Sequence, residues 1–255
     1  MSLTIARRMV GAEFLKLRKS RSTVIWSLLL AVGSVVIFFV WRQLSRHGGQ
    51  PTGGTDGFWH GLELIGIFIA PLAAVLIGAE AGAGDTGSGV FRDLVVTGRS
   101  RVALFAARIP GALMLVCIVV SLSYGAMLAA TFAFAGSLPN PSASDVLAGW
   151  GWALLVDGAV CVVAVGLASL TQSRPATITV LVGFELVASP LLLQTSSLGH
   201  ARDALLDASV LRLSPVDLHG APVVGETAVL AVIVMLAWMV VAAAAGAWRT
   251  HRADA

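Results

Sequence analysis

The sequence predicts an all-α membrane protein of six transmembrane helices, and three observations carry that prediction. Of 255 residues, 57% are apolar and only 12% charged, with a mean hydropathy of +0.87; a soluble domain is roughly half apolar and a quarter charged. The apolar residues come in runs of about 20, the length that crosses the hydrocarbon of a bilayer. The cations gather at the edges of those runs, as topology signals do. No stretch between the runs can form a separate water-soluble domain, so residues 1–255 read as one membrane unit.

The elements follow in order. Leu3, Ala6, Val10, Phe14 and Leu17 are spaced 3, 4, 4 and 3 and share one helical face, while Arg7, Arg8, Lys16, Arg18 and Lys19 fall outside it. Such a division predicts a helix over residues 1–22 lying flat at the headgroup level, its cations toward anionic lipid. The alternative is a basic leader that only fixes orientation. The apolar run that follows is full-length, which predicts a permanent anchor rather than a cleaved signal.

The predicted spans are Val24–Trp41, Leu62–Ala79, Val102–Ala135, Leu147–Leu170, Ala176–Leu193 and Thr227–Trp248. Trp26 and Trp41 are placed for the two interfaces, as are Trp150 and Trp152 at the start of the fourth span. Pro71 falls inside the second span, where neighbouring helices must satisfy the freed carbonyl. The third run is too long for a simple crossing and reads as one helix projecting into the cytoplasm, since a hairpin would need a turn that only Tyr124-Gly125 hints at. Arg42–Gly61 is polar and glycine-rich and reads as a turn-rich loop. Gly136–Asp145 reads as a short turn, and residues 194–226 as the long extracytoplasmic loop, with Leu198–Leu213 able to form an amphipathic helix.

Orientation follows from the positive charges. The amino-terminal segment holds six Lys and Arg, and Arg92, Arg99, Arg101, Arg108, Arg174, Arg249 and Arg252 fall on the same side of a six-span topology. Arg42, Arg46, Arg202 and Arg212 fall on the other. Thirteen against four predicts both termini in the cytoplasm. The net charge of +3 therefore reads as topology, and nucleic acid is not an expected partner. Cys117 and Cys161 lie within apolar runs and read as small buried residues rather than a disulfide or metal site. The five histidines are scattered without ligand spacing.

Glu80–Arg101 is the longest connection on the predicted cytoplasmic side, and it opens with GAGDTGSG. A phosphate-binding loop needs a lysine directly after its second glycine. Both lysines, Lys16 and Lys19, lie in the amino-terminal segment instead. The sequence thus excludes a Walker-type nucleotide site, and the glycines read as a flexible approach to a short helix, Val90–Thr97. Within the spans, Asp157 and Glu185 fall near the centres of the fourth and fifth. An acidic residue there costs roughly 2.5–3.5 kcal/mol on insertion scales and must face protein or water. They read as lining a translocation route or binding a cationic group; the alternative is a protonated or hydrogen-bonded packing role.

The stretch GVFRDLVVTGRSRVALFAAR resembles the cytoplasmic segment between the second and third spans of ABC-type exporter permeases of the second type. In that family an acidic residue precedes a glycine, a threonine-containing turn and a short helix bearing a basic residue; a small-residue turn, a serine-arginine pair and a later lysine follow. Asp85, Gly89, Arg92, Thr97, Ser100, Arg101 and Arg108 occupy those places. Val90 stands where threonine is common, Gly98 where proline is common and Arg108 where lysine is usual. The basic amphipathic amino-terminal helix, the six spans and the long last outer loop extend the resemblance along nearly the whole chain.

The resemblance implies a bacterial plasma-membrane subunit that is not itself an enzyme. It would dimerise with an identical or homologous permease and export a small molecule, peptide or lipid-like substrate. Two separate ABC ATPase subunits would carry ATP and Mg, leaving no cofactor on this chain. A coupling helix formed by Gly89, Val90, Phe91, Arg92, Asp93, Leu94 and Thr97, with Arg99 and Arg101 after it, would dock on the ATPase. The competing expectation is a polytopic membrane anchor or regulatory sensor. An intramembrane enzyme would need a cluster of catalytic groups at one depth.

Overall fold

The computed structural model describes residues 3–45, 51–87, 100–216 and 225–252. The described residues are all-α, with six helices long and apolar enough to cross a membrane. A first helix, α1 (Leu3–Lys19), precedes them. The six are α2 (Arg21–Leu44), α3 (Gly54–Asp85), α4 (Arg101–Ala133), α5 (Ala143–Thr171), α6 (Arg174–Gln194) and, after an intervening short helix α7 (Leu206–Arg212), α8 (Ala228–Arg252). The predicted coupling residues Gly89, Val90, Phe91, Arg92, Asp93, Leu94, Thr97 and Arg99 lie outside the described residues.

Local chemistry sets the helix ends. The Ser100 hydroxyl accepts from the Ala103 N–H at the start of α4. Ser142 and Asp145 form a reciprocal capping box at the start of α5, each satisfying a donor the helix leaves open. Gln172 adopts φ 54° and ends α5 in the left-handed region, and Ser173 then caps α6 with Pro175 in its first turn. Three spans carry a π-helical turn: Leu29–Gly33 in α2, Leu64–Ile69 in α3 and Phe184–Ala188 in α6. In α3 the turn comes just before Pro71. There the Ala70 N–H reaches the Ile65 carbonyl, a wide turn that lets the helix absorb the proline.

Helix α5 is the most enclosed of the six. It packs on α3 through small residues: a Cβ added at Gly78 would lie 2.6 Å from the Ala164 Cβ, and one at Gly82 would lie 2.5 Å from the Ala168 Cβ. On its other side Gly166 meets Ala242 and Gly246 of α8 backbone to backbone. Close approach through small residues is how membrane helices gain packing without a hydrophobic driving force between them. Helices α2, α6 and α8 stay largely uncovered and display Ile25, Ile37, Leu191, Ile233 and Val241 outward.

Lys16, Asp85 and Arg108 meet at one end of the bundle, and the Arg101 guanidinium donates to the His251 carbonyl there at 3.4 Å. This is the terminal end, and the opposite one is the far end.

The third span is one 33-residue helix, Arg101–Ala133, as expected, with Pro110 inside it. Several other expectations are revised. The segment Gly54–Gly61, expected in a loop, opens α3 instead: Gly54 turns with φ 65°, and Phe58 and Leu62 are fully buried. The glycine-rich stretch from Gly82 is helical through Gly87, because Gly82 packs on α5 and Asp85 is held by two cations. Leu198–Leu213 is not one helix. A 3-10 segment, Ser196–Ala204, is separated from α7 by Leu205 in extended conformation. Trp152 is not an interfacial residue but is buried, its ring against Gly66 and its indole N–H donating to the Val210 carbonyl at 3.2 Å. Cys161 is buried as expected, whereas Cys117 is exposed on α4.

Candidate functional site

Two clusters of charged groups stand out, one at the terminal end and one midway through the bundle. The terminal cluster joins α1, α3 and α4. Arg108 sits about two turns into α4 and is buried with Asp85, their charged groups 3.1 Å apart. Arg108 also donates to the Gly82 carbonyl at 3.0 Å. Lys16 of α1 reaches the same Asp85 carboxylate at 3.0 Å and pairs with Glu13. The α1 backbone comes close enough for this because Gly111 of α4 lacks a side chain; a Cβ there would lie 2.8 Å from that of Glu13. Next to it Arg174 of α6 pairs with Glu80 of α3 at 2.7 Å and donates to the Thr23 hydroxyl of α2, while the Ser20 hydroxyl donates to Glu80 at 3.4 Å.

These contacts tie Asp85 and Arg108, which flank the predicted coupling segment, to the amino-terminal helix. On α1, Leu3 lies in the first turn, Val10 and Phe14 are half-buried, Leu17 is buried, and Arg18 and Lys19 are exposed. The amphipathic division is as expected. Lys16 is the exception, turned from the polar face into the ionic cluster. Arg101 opens α4 at the same end.

The second cluster is built from the two predicted span carboxyls and a third that sequence reasoning missed. Asp157 lies at the centre of α5 and is fully buried, with no hydrogen-bond partner at either carboxylate oxygen. Glu185 lies near the centre of α6, on the π-helical turn Phe184–Ala188. It interacts electrostatically with Asp157 and faces Asp207 of α7. Asp207 comes from the segment expected to be an outer loop. That segment instead descends into the bundle: Trp238, near the middle of α8, donates from its indole N–H to the Ala204 carbonyl at 2.9 Å. Burial holds the Asp207 carboxyl above its ordinary range, with the adjoining Ser189 and Glu185 pulling it back.

No periodicity announces Asp207, because the approach of α7 to α6 is set by tertiary packing. Its one sequence signal is an acidic residue inside a short amphipathic stretch. The long-range partnerships of Lys16, Glu80 and Arg174 were equally hidden, since each spans 60 or more residues. No grouping of three or more metal-binding side chains occurs among the described residues. The comparisons add no family to this geometry: no family model matches the chain, and the search of curated proteins returned no match.

Proposed function

We propose that this polytopic membrane protein is the membrane-spanning subunit of an ATP-driven exporter of the second ABC type, seated in a bacterial plasma membrane with both termini in the cytoplasm. Two such permeases, identical or homologous, form the translocation path, and two separate ATPase subunits supply the energy. The observation that carries this reading is the ionic cluster of Lys16, Asp85 and Arg108. A segment that passes on the movement of an ATPase must be joined stiffly to the spans at both of its ends. Asp85 before residues 88–99 and Arg108 after them meet in one buried ion pair, and Lys16 adds the amino-terminal helix to the same lever. Asp157 and Glu185 line the path, and the exported substrate is a small molecule, peptide or lipid-like compound.

The test is purification of the tagged chain from its native membrane. An ATPase should co-purify, and substituting Arg92→Glu with Asp93→Arg should lower its transport-coupled hydrolysis without abolishing assembly of the spans. A stable complex with no nucleotide-binding subunit would replace this reading by that of a membrane anchor or sensor.

A further inference from the structure

The middle of the bundle holds three carboxyls and, among the described residues, no Lys, Arg or His interacts with them. Asp157 is enclosed completely with both oxygens unpartnered. Glu185 interacts with both Asp157 and Asp207 and sits on a π-helical turn, a distortion that recurs at functional sites because it re-aims a side chain at the expense of regular helix bonding. Carboxylates so placed are satisfied by a positive charge or by protons.

We propose that Asp157, Glu185 and Asp207 form a binding site for an organic cation, an ammonium or phosphonium centre carried on an apolar body. This rests on the reading of Asp157 and Glu185 as path-lining residues and names the substrate class they select. Three features favour an organic cation over a bare metal ion. A hard cation needs six or more oxygen ligands in a defined shell, whereas these carboxyls sit among apolar side chains. Phe184, adjacent in sequence to Glu185, packs on Trp238 with ring centroids 6.5 Å apart, and aromatic rings are of the kind that attract weakly hydrated cations. Asp207 arrives on a separate short helix, held by indole N–H bonds from Trp152 and Trp238 to the Val210 and Ala204 carbonyls. One wall of the site therefore comes from outside the six spans.

The experiment measures binding of tetraphenylphosphonium to the purified full-length chain in lipid nanodiscs by equilibrium dialysis. Tetraphenylborate, of matching size and opposite charge, is the competitor. Binding should saturate above that of empty nanodiscs and resist tetraphenylborate. Asp157→Asn, Glu185→Gln and Asp207→Asn should each weaken it by about tenfold or more, as expected when one partner of a buried charge pair is lost. Should Asp157→Asn fail to fold, the discrimination between the two ions and the other two variants decide the matter. Binding that never saturates, competition by tetraphenylborate, or three folded variants of unchanged affinity would each overturn the proposal. So would labelling of these carboxyls by dicyclohexylcarbodiimide that tetraphenylphosphonium does not prevent, since the site would then hold protons only. The assay needs no ATPase. Loss of tetraphenylphosphonium binding beside an intact ATPase complex removes the cation site alone, whereas binding without any ATPase partner keeps the site and removes the exporter.

Discussion

Asp85 and Arg108 show how much a single buried pair decides. Their side chains are 4% and 3% exposed, so removing Arg108 strips the Asp85 carboxylate of its buried cation and leaves the half-exposed Lys16 beside it. Arg108→Met should therefore lower unfolding free energy by about 3–5 kcal/mol, read by denaturation of the purified protein in micelles. Asp85→Leu combined with Arg108→Met should recover most of that loss, because neither charge remains buried. Glu226, next to the start of α8, makes the opposite kind of prediction. Burial, and then the nearby Asp203 charge, raise its carboxyl above the usual range, while Arg212 pulls it down. The folded chain thus keeps a proton that the unfolded chain releases, and stability must fall as pH rises through that range. Amide exchange at residues 206–212 and 226–231, corrected for intrinsic rates, should be faster at pH 8 than at pH 5. Glu226→Gln should flatten the difference. Neither pairing is visible in sequence, where Asp85 and Arg108 lie 23 residues apart on separate helices.

Among the helices, amphipathicity and run length predicted α1 and all six spans, but not which faces meet. Gly78 and Gly82 share a side of α3 at a spacing of four, and the structure shows that this side receives α5. Gly82→Leu should push the two helices apart, since its Cβ would already lie 2.6 Å from the Val165 carbonyl oxygen. Overpacking of this kind costs about 1–3 kcal/mol, so the melting temperature in detergent should drop. Gly183→Ala, with nothing within 4 Å of the added carbon, should leave it unchanged or raise it. Span ends were less legible than spans. Helix α3 starts eight residues before Leu62 because its glycine-rich first turns bury Phe58 beneath Tyr124, and hydropathy does not register that burial.

For the whole molecule, the positive charges make a prediction independent of any packing. Alkaline phosphatase fused after Gly136 or Gly225 should be active, and fused after Ser100 it should be inactive. A fluorescent protein at either terminus should fold and fluoresce in the cytoplasm. The opposite pattern would place residues 88–99 outside the cell, out of reach of any ATPase. Helices α2, α6 and α8 present apolar faces around this body, which suits contact with lipid.

By itself the sequence determined the solvent, the number of crossings and their all-α character, because a bilayer accepts a long apolar run only as a helix with its backbone bonds closed. The amphipathic first helix and the two central carboxyls were equally plain from spacing and position. Only the tertiary structure decided that Lys16 turns inward to Asp85, that Trp152 is a buried donor, and that Asp207 descends to meet Glu185. Those are contacts between elements distant along the chain. Their geometry comes from how small residues let helices approach, and a one-dimensional pattern of polarity carries no record of it.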